Sequence, residues 1–139
     1  MKTKAAFRNL VSWLKTTELF MDPDQILPGK WSLYEYYTEP GKELIHIEEK
    51  QLLEARQAWT IEFTADRKYR CEANMPVILV SGIKSGNWNR SKNFLTFLNT
   101  PNPADRTEFQ FALEKGNLKL LKKDTSGKIE IFGFFRKVG

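Results

Sequence analysis

The sequence contains one cysteine and one histidine among its 139 residues. A single cysteine, Cys71, cannot form a disulfide within the chain, so packing has to stabilise the fold, and the cysteine content indicates neither an oxidising nor a reducing compartment. His46 has no second histidine and no nearby cysteine at a spacing typical of metal sites. We therefore interpret His46 as an ordinary strand residue, and the sequence predicts neither a metal site nor a cofactor.

No apolar segment approaches the roughly 20 residues that a membrane-spanning helix needs. Residues 1–20 begin with basic residues as a secretory signal does, but Arg8, Asn9 and Lys15 interrupt any continuous apolar stretch. We therefore interpret residues 1–20 as part of the folded protein, and we expect the chain as written to be cytoplasmic. If a native leader had been exchanged for a bare methionine, the protein would instead be periplasmic or lipid-anchored.

The sequence also lacks the motifs of common catalytic sites. The Ser-Gly pairs that begin at Ser81 and Ser85 fit turns, and neither forms a nucleophile elbow or a phosphate-binding loop. Three acidic residues, Glu48, Glu49 and Glu54, fall on what we predict to be exposed strand or loop, with no pairing suited to acid and base catalysis. We therefore predict that the protein is not an enzyme.

Basic residues exceed acidic residues by 22 to 17, which gives a net charge of +5. They are dispersed along the chain, and near the C-terminus they alternate with apolar residues, as on the solvent-exposed face of β-strands. The local group there consists of Lys115, Lys119, Lys122, Lys123 and Lys128. A solvated strand face explains this pattern better than a nucleic-acid-binding surface does, so we predict no specific nucleic-acid binding.

Aromatic residues are abundant at 13% of the chain, and the apolar positions alternate with a period of two. Trp59, Ile61 and Phe63 face one way, and a turn leads into Tyr69 and Cys71 on the same side of a hairpin. About nine such segments follow one another from residue 31 to residue 136, joined by short glycine-bearing turns. Consecutive hairpins of this kind predict a mainly β fold, an up-and-down antiparallel β-barrel of about eight strands.

Two local predictions depend on the same period. In the first strand, Trp31, Leu33 and Tyr37 are expected to share one face, with Tyr36 on the other. The short apolar run at residues 77–80 predicts a further strand.

Helical patterns occur at the N-terminal end. Four apolar residues at the spacing of one helical face predict a helix over residues 4–17 that packs on the barrel: Phe7, Leu10, Val11 and Leu14. Asp22, followed by Pro23, predicts a short second helix just before the first strand.

The order of elements and a few motifs resemble those of a small bacterial lipocalin-like protein of the calycin superfamily. The motifs are Gly29-x-Trp31 at the first strand, Trp59-x-x-x-Phe63 and Asp66-x-x-Tyr69 in the hairpin, and Arg136 at the end of the last strand. The resemblance implies one domain over residues 1–139, with the helix in residues 1–20 and the barrel in residues 22–139. It also implies that Trp31 packs at the closed end of the barrel and that the Arg136 side chain lies over the Trp31 ring.

The resemblance further implies a cavity for a small hydrophobic ligand, and eight strands enclose a space that side chains either fill or leave open. Phe97 and Phe134 would fill it if they point inward, whereas the small residues Ala73, Ala112 and Gly133 would make room. We predict that a lipophilic molecule, such as a fatty acid, is bound by inward-facing residues: Leu33, Ile61, Phe63, Tyr69, Cys71, Phe109 and Phe111. The alternative is a filled barrel that acts by docking a protein partner.

Overall fold

The computed structural model describes residues 22–99 and 106–138, and these residues form nine strands and three short helices. The strands are β1 (Gly29–Thr38), β2 (Ile45–Ile47), β3 (Ala58–Phe63), β4 (Lys68–Asn74), β5 (Ser85–Ser91), β6 (Phe94–Asn99), β7 (Arg106–Glu114), β8 (Asn117–Lys123) and β9 (Ile129–Lys137). The helices are α1 (Pro23–Ile26), α2 (Glu49–Glu54) and α3 (Ile78–Ser81). The helix predicted over residues 4–17 lies outside the described residues.

Eight of the described strands form a closed antiparallel barrel. β3 to β9 follow one another in order around it, and β1 pairs with β3 on one side and with β9 on the other. The short strand β2 pairs with residues 36–38 at the end of β1, whereas β3 pairs with residues 29–32 at its beginning. The predicted up-and-down antiparallel barrel of about eight strands is therefore confirmed.

Local sequence determines the tight turns between strands. Between β7 and β8, Lys115 and Gly116 take φ angles of 52° and 79°, and positive φ at both turn positions is typical of the two-residue hairpins that suit twisted strands. Between β8 and β9, the Asp124 Oδ1 atom accepts hydrogen bonds from the backbone N–H groups of Ser126 at 2.9 Å and Lys128 at 3.0 Å. These connections hold successive strands next to each other in the barrel.

A β-bulge in β1 changes which residues face the interior. The register of β1 against β9 shifts between Leu33 and Glu35, so that Tyr34 is the extra residue. Leu33, before the bulge, and Tyr36, after it, are both buried inside the barrel, whereas Tyr37 faces outward. The predicted inward position of Tyr37 is wrong, because one inserted residue reverses the alternation of the residues that follow.

Two helical turns replace predicted strand or loop. Residues 77–80 contribute to α3 instead of a strand, because a helical turn buries Val80 and, three residues on, Ile83 over the same core. Glu49 and Glu54 lie on α2. This helix buries Leu52, and it begins with a capping box in which the Glu48 N–H donates to the Gln51 side chain at 2.8 Å.

Candidate functional site

The end of the barrel at which β1 begins is covered by α1, and we call it the closed end. Gly29 has a φ of 135°, a conformation that glycine adopts readily, and there the chain turns from α1 into β1. Trp31 is fully buried, and its indole Nε1 donates to the Leu27 carbonyl at 2.9 Å. The Lys137 ammonium donates to the Ile26 carbonyl at 2.8 Å. α1 is thus bonded to both the first and the last strand of the barrel.

The cation beside Trp31 is Lys137. The two residues are paired across β1 and β9, and the Lys137 Nζ atom lies 5.4 Å from the centre of the Trp31 ring. Arg136 lies on the outer face, with its guanidinium carbon 4.0 Å from the centre of the Tyr34 ring and its Nη1 atom 2.6 Å from Glu49 Oε2. The contact between Trp31 and Arg136 that the resemblance implies is therefore wrong, because neighbouring residues of a strand face opposite sides.

Asp24 anchors the closed end through two arginines. Its carboxylate lies 2.8 Å from Arg90 Nε and 3.1 Å from Arg67 Nη2. The Arg67 guanidinium also lies over the Trp88 ring, 4.3 Å from its centre. The hydrogen bond from Arg90, with a further one from Arg67, lowers the pKa of Asp24 to about 2. This cluster joins α1 to the β3–β4 turn and to β5, and it holds α1 over the closed end.

We expect Asp24→Asn to lower the free energy of unfolding at pH 7 by about 1 kcal/mol, a value reduced to allow for the solvent exposure of the pair. Because folding lowers the pKa of Asp24, its stabilisation is present above pH 4 and is lost as the pH falls towards 2. Urea unfolding at several pH values measures this. Glu54→Gln, on the exposed side of α2, is the matched control. A wild-type advantage that persists unchanged at pH 2 would contradict the assignment.

The interior is filled by aromatic rings in mutual contact. Phe97 is central: its ring centre lies 5.8 Å from that of Phe63, 4.7 Å from that of Tyr69 and 5.4 Å from that of Phe109. The contacts continue from Phe63 to Trp88 and from Phe109 through Trp59 to Phe135. All seven rings are almost completely buried. All six of these ring pairs are tilted or edge-to-face, the arrangements that aromatic side chains prefer. We call the seven rings the aromatic network.

Six of the seven residues predicted to contact a ligand line this packed interior: Leu33, Ile61, Phe63, Tyr69, Phe109 and Phe111. They are together on the inner face, and they pack against one another. The space beside Gly133 is also taken, since a Cβ atom there would lie 2.9 Å from Leu33 Cδ1. Ala112 and Phe134 face outward, and Ala73 is exposed, so none of the residues expected to make room does so.

Cys71, the seventh predicted residue, is half-buried in β4, packed against the core and paired with Ile61 of β3. Burial raises the pKa of its thiol to about 12. A thiol with this pKa is protonated at neutral pH and is a poor nucleophile. Cys71 therefore acts as a small apolar residue of β4 that packs against the core.

The opposite end of the barrel carries a pocket of about 450 Å³, which we call the mouth pocket. Three segments that are far apart in sequence line it: the end of β1 and the residues after it, the stretch that leads into α3, and the turn into β9. The lining residues are Tyr36, Thr38, Glu39, Pro40, Pro76, Val77, Leu79, Asp124, Ile129 and Glu130. Tyr36 belongs to the buried core, and its hydroxyl donates to Gln57 Oε1 at 2.7 Å.

The polar lining of the mouth pocket is acidic. Glu39, Asp124 and Glu130 contribute carboxyl groups, and no lysine or arginine is among the described residues that line it. A hydrogen bond from the Ser126 hydroxyl lowers the pKa of Asp124, which is therefore ionised at neutral pH. The Glu130 Oε2 atom is buried without a hydrogen-bond partner, and Lys122 Nζ lies 3.9 Å from it. The pocket thus combines apolar walls with a negative potential.

His46, the one histidine of the chain, is engaged in structural contacts. The His46 ring stacks on Tyr37 with ring centres 4.1 Å apart, and its Nε2 atom lies 2.6 Å from Glu35 Oε2. Across residues 22–99 and 106–138, no three histidine, cysteine or acidic side chains are grouped so that they could hold a metal ion. Nor is any helix in these two ranges long and apolar enough to cross a membrane.

A closed eight-stranded antiparallel barrel with one covered end defines a lipocalin-like fold, as the sequence motifs predict. Among solved structures, the chain is similar to a lipocalin-like protein from Bacteroides uniformis, with a TM-score of 0.50 and 16% sequence identity, over 81% of this chain and 99% of that one. No protein-family model and no curated protein matches the sequence. The lipocalin-like fold is thereby established.

Proposed function

We propose that this protein is a non-enzymatic binding protein that holds a small lipophilic molecule in the mouth pocket. The observation that supports this most directly is the pocket itself. Its volume of about 450 Å³ lies within the roughly 300 to 1,000 Å³ common for small-molecule sites. Apolar side chains from three segments converge there above the buried ring of Tyr36. A ligand deeper in the barrel would have to displace the aromatic network.

The acidic lining favours a particular class of ligand. A fatty acid would bring its carboxylate close to the carboxyl groups of Glu39, Asp124 and Glu130, and like charges repel at short range. A neutral or cationic molecule with an apolar body avoids this repulsion. If it buries about 200 Å² of apolar surface, the transfer from water contributes about 5 kcal/mol, which corresponds to a dissociation constant of roughly 0.2 mM.

Three fluorescence measurements test this proposal. We expect neutral N-phenyl-1-naphthylamine to bind with increased emission, dodecyltrimethylammonium to displace it, and anionic cis-parinaric acid to bind more weakly. Leu79→Trp should abolish binding of the neutral probe, because the larger ring occupies the pocket. Leu53→Trp is the matched control, since Leu53 is 68% exposed on α2 and does not line the pocket.

A folded protein that binds none of these probes, or a Leu79→Trp variant that binds as well as the wild type, would contradict a ligand site at the mouth. Tighter binding of cis-parinaric acid than of the neutral probe would contradict the assigned ligand class alone.

The second candidate function is a filled barrel that docks a protein partner, and the aromatic network favours it. Rings in contact throughout the interior stabilise a rigid scaffold, whose outer surface would then carry the function. Probe binding that Leu79→Trp abolishes would argue against this alternative, whereas its complete absence would favour it.

A further inference from the structure

An apolar cluster lies on the outside of the barrel wall, and one of its members, Ile129 of β9, also lines the mouth pocket. Ala112 of β7, Leu121 of β8, and Phe132 and Phe134 of β9 point outward and are at most 7% exposed. Leu121 pairs directly with Phe132 across the two strands. We call these four residues the outer patch. Side chains on the outer face of a barrel contact water unless something covers them, so their burial calls for a cover.

The partly buried apolar residues of the described chain that pack on the outer patch come from one side only. They are Tyr34, Tyr37 and Leu44, all in β1 or shortly after it. The ring of Tyr37 lies 6.3 Å from that of Phe132 and 6.0 Å from that of Phe134, between ring centres. These three residues approach from the β1 side of β9, whereas Ala112 and Leu121 lie on the far side of it, in β7 and β8.

The burial of Lys119 also indicates that another part of the molecule covers this face. Lys119 lies on the outer face of β8 between Ala112 and Phe134, with which it is paired across the neighbouring strands. The solvated strand face predicted for it is wrong, since it is only 7% exposed. Its ammonium forms an ion pair with Glu114 at 3.0 Å. A lysine on an outer strand face becomes this buried only beneath another part of the molecule.

We propose that the amphipathic N-terminal segment, residues 4–17, covers the outer patch with its apolar stripe of Phe7, Leu10, Val11 and Leu14. A helix over these residues would be about 20 Å long, enough to cross the strands from β7 to β1, which span about 15 Å. The stripe supplies large apolar side chains that can cover Ala112 and Leu121, the two residues of the outer patch that lie on the side of β9 away from β1.

The point at which the described chain begins allows this placement. Asp22 opens α1, which is bonded to Lys137 at the closed end. Phe134 is three residues from Lys137, or about 10 Å along β9. Residues 18–21 can span up to about 13 Å. The segment can therefore reach the outer patch of its own barrel without crossing either end.

Charge complementarity favours the same arrangement. Residues 1–21 carry four basic side chains and a single acidic one, Glu18. The edges of the outer patch carry the carboxylates of Glu35 in β1 and Glu114 in β7, which are paired with His46 and Lys119. A basic amphipathic segment with its apolar stripe on the outer patch places positive charges near these edges.

Disulfide trapping in the full chain tests the placement. In a Cys71→Ser background, Val11→Cys combined with Leu121→Cys should give an intramolecular disulfide under mild oxidation, seen as a faster-migrating monomer on a non-reducing gel. Val11→Cys combined with Asn87→Cys is the matched control, because Asn87 is exposed on β5 in another part of the barrel wall. Equal trapping in both pairs, or none with Leu121→Cys, would overturn the proposal. Disulfide-linked dimers would also overturn it, by making a second copy the occupant.

Dye binding provides a measurement that needs no cysteine at the outer patch. Leu10→Asp should release the segment and increase the emission of anilinonaphthalenesulfonate, while the near-UV circular dichroism of the barrel stays the same. Asn9→Asp, one residue off the stripe, should leave both signals at the wild-type level. Identical dye emission from the two variants would count against the proposal.

Discussion

We expect Phe97→Ala to lower the free energy of unfolding by about 3 to 5 kcal/mol, the usual range for removing a fully buried phenylalanine ring. Phe97 is 1% exposed and contacts three other rings of the aromatic network. Its removal leaves a cavity that these rings can only partly fill, because each is also held by a second neighbour or by its strand. Urea unfolding followed by circular dichroism measures the loss.

Phe94→Ala is the matched control for this prediction. Phe94 lies in the same strand, β6, but it is only partly buried, and it alternates with the inward-facing Leu95. We expect a loss of about 1 kcal/mol or less there. If the two variants lose the same stability, Phe97 does not occupy the central position that the structure gives it.

Gly86→Ala should also be strongly destabilising, by about 3 kcal/mol or more. A Cβ atom at Gly86 would lie 2.0 Å from the carbonyl oxygen of Leu98 and 3.2 Å from the Cα atom of Asn99. Both are backbone atoms of β6, so no side-chain rotation relieves the overlap, and the two strands must separate. The movement would also disturb the hydrogen bond from the Tyr69 hydroxyl to Asn99 Oδ1, 2.7 Å long.

The chain offers a glycine at which the same change should be nearly neutral. Gly41, in the bend after β1, has no atom within 4 Å of the position of a Cβ. We expect Gly41→Ala to change the free energy of unfolding by about 0.5 kcal/mol at most, with either sign. Thermal unfolding of both variants makes the comparison, and an equal shift in the two midpoints would refute the steric argument.

The hairpins of the barrel could be predicted because they depend on local sequence. In the hairpin of β3 and β4, Ile61 pairs with Cys71 and Phe63 with Tyr69. This is the face that the period of two predicts, since a short turn leaves little freedom in register. The inward position of Phe109 and Phe111 follows in the same way from β7.

Features that depend on a shift of one residue could not be predicted. The bulge at Tyr34 changes the face of every later residue in β1, and no residue type in that strand signals it. The choice between Arg136 and Lys137 over Trp31 depends on the same register, because adjacent basic residues differ only in the side to which they point. α3 depends on tertiary packing, which overrides the strand propensity of residues 77–80.

The mouth pocket was beyond prediction for a different reason. Its walls come from three segments near residues 38, 77 and 129, and only the closed barrel brings them together. Pro40 and Pro76 mark the ends of the strands that precede them, which indicates where loops lie. Which loops share an end of the barrel follows from strand order and direction.

The pairing of β1 with β9 has a consequence for how the protein folds. Trp31 and Lys137 are partners 106 positions apart in sequence, whereas β3 to β9 are joined by successive hairpins. Contacts of such long range form slowly, because the intervening chain must first lose its entropy. During synthesis, β9 is the last of these strands to leave the ribosome, so the nascent sheet stays open with two unpaired edges until β9 emerges. The slow step that we expect in refolding is therefore the joining of these two edges, and variants that weaken the end of β9 should aggregate before they measurably destabilise the finished barrel.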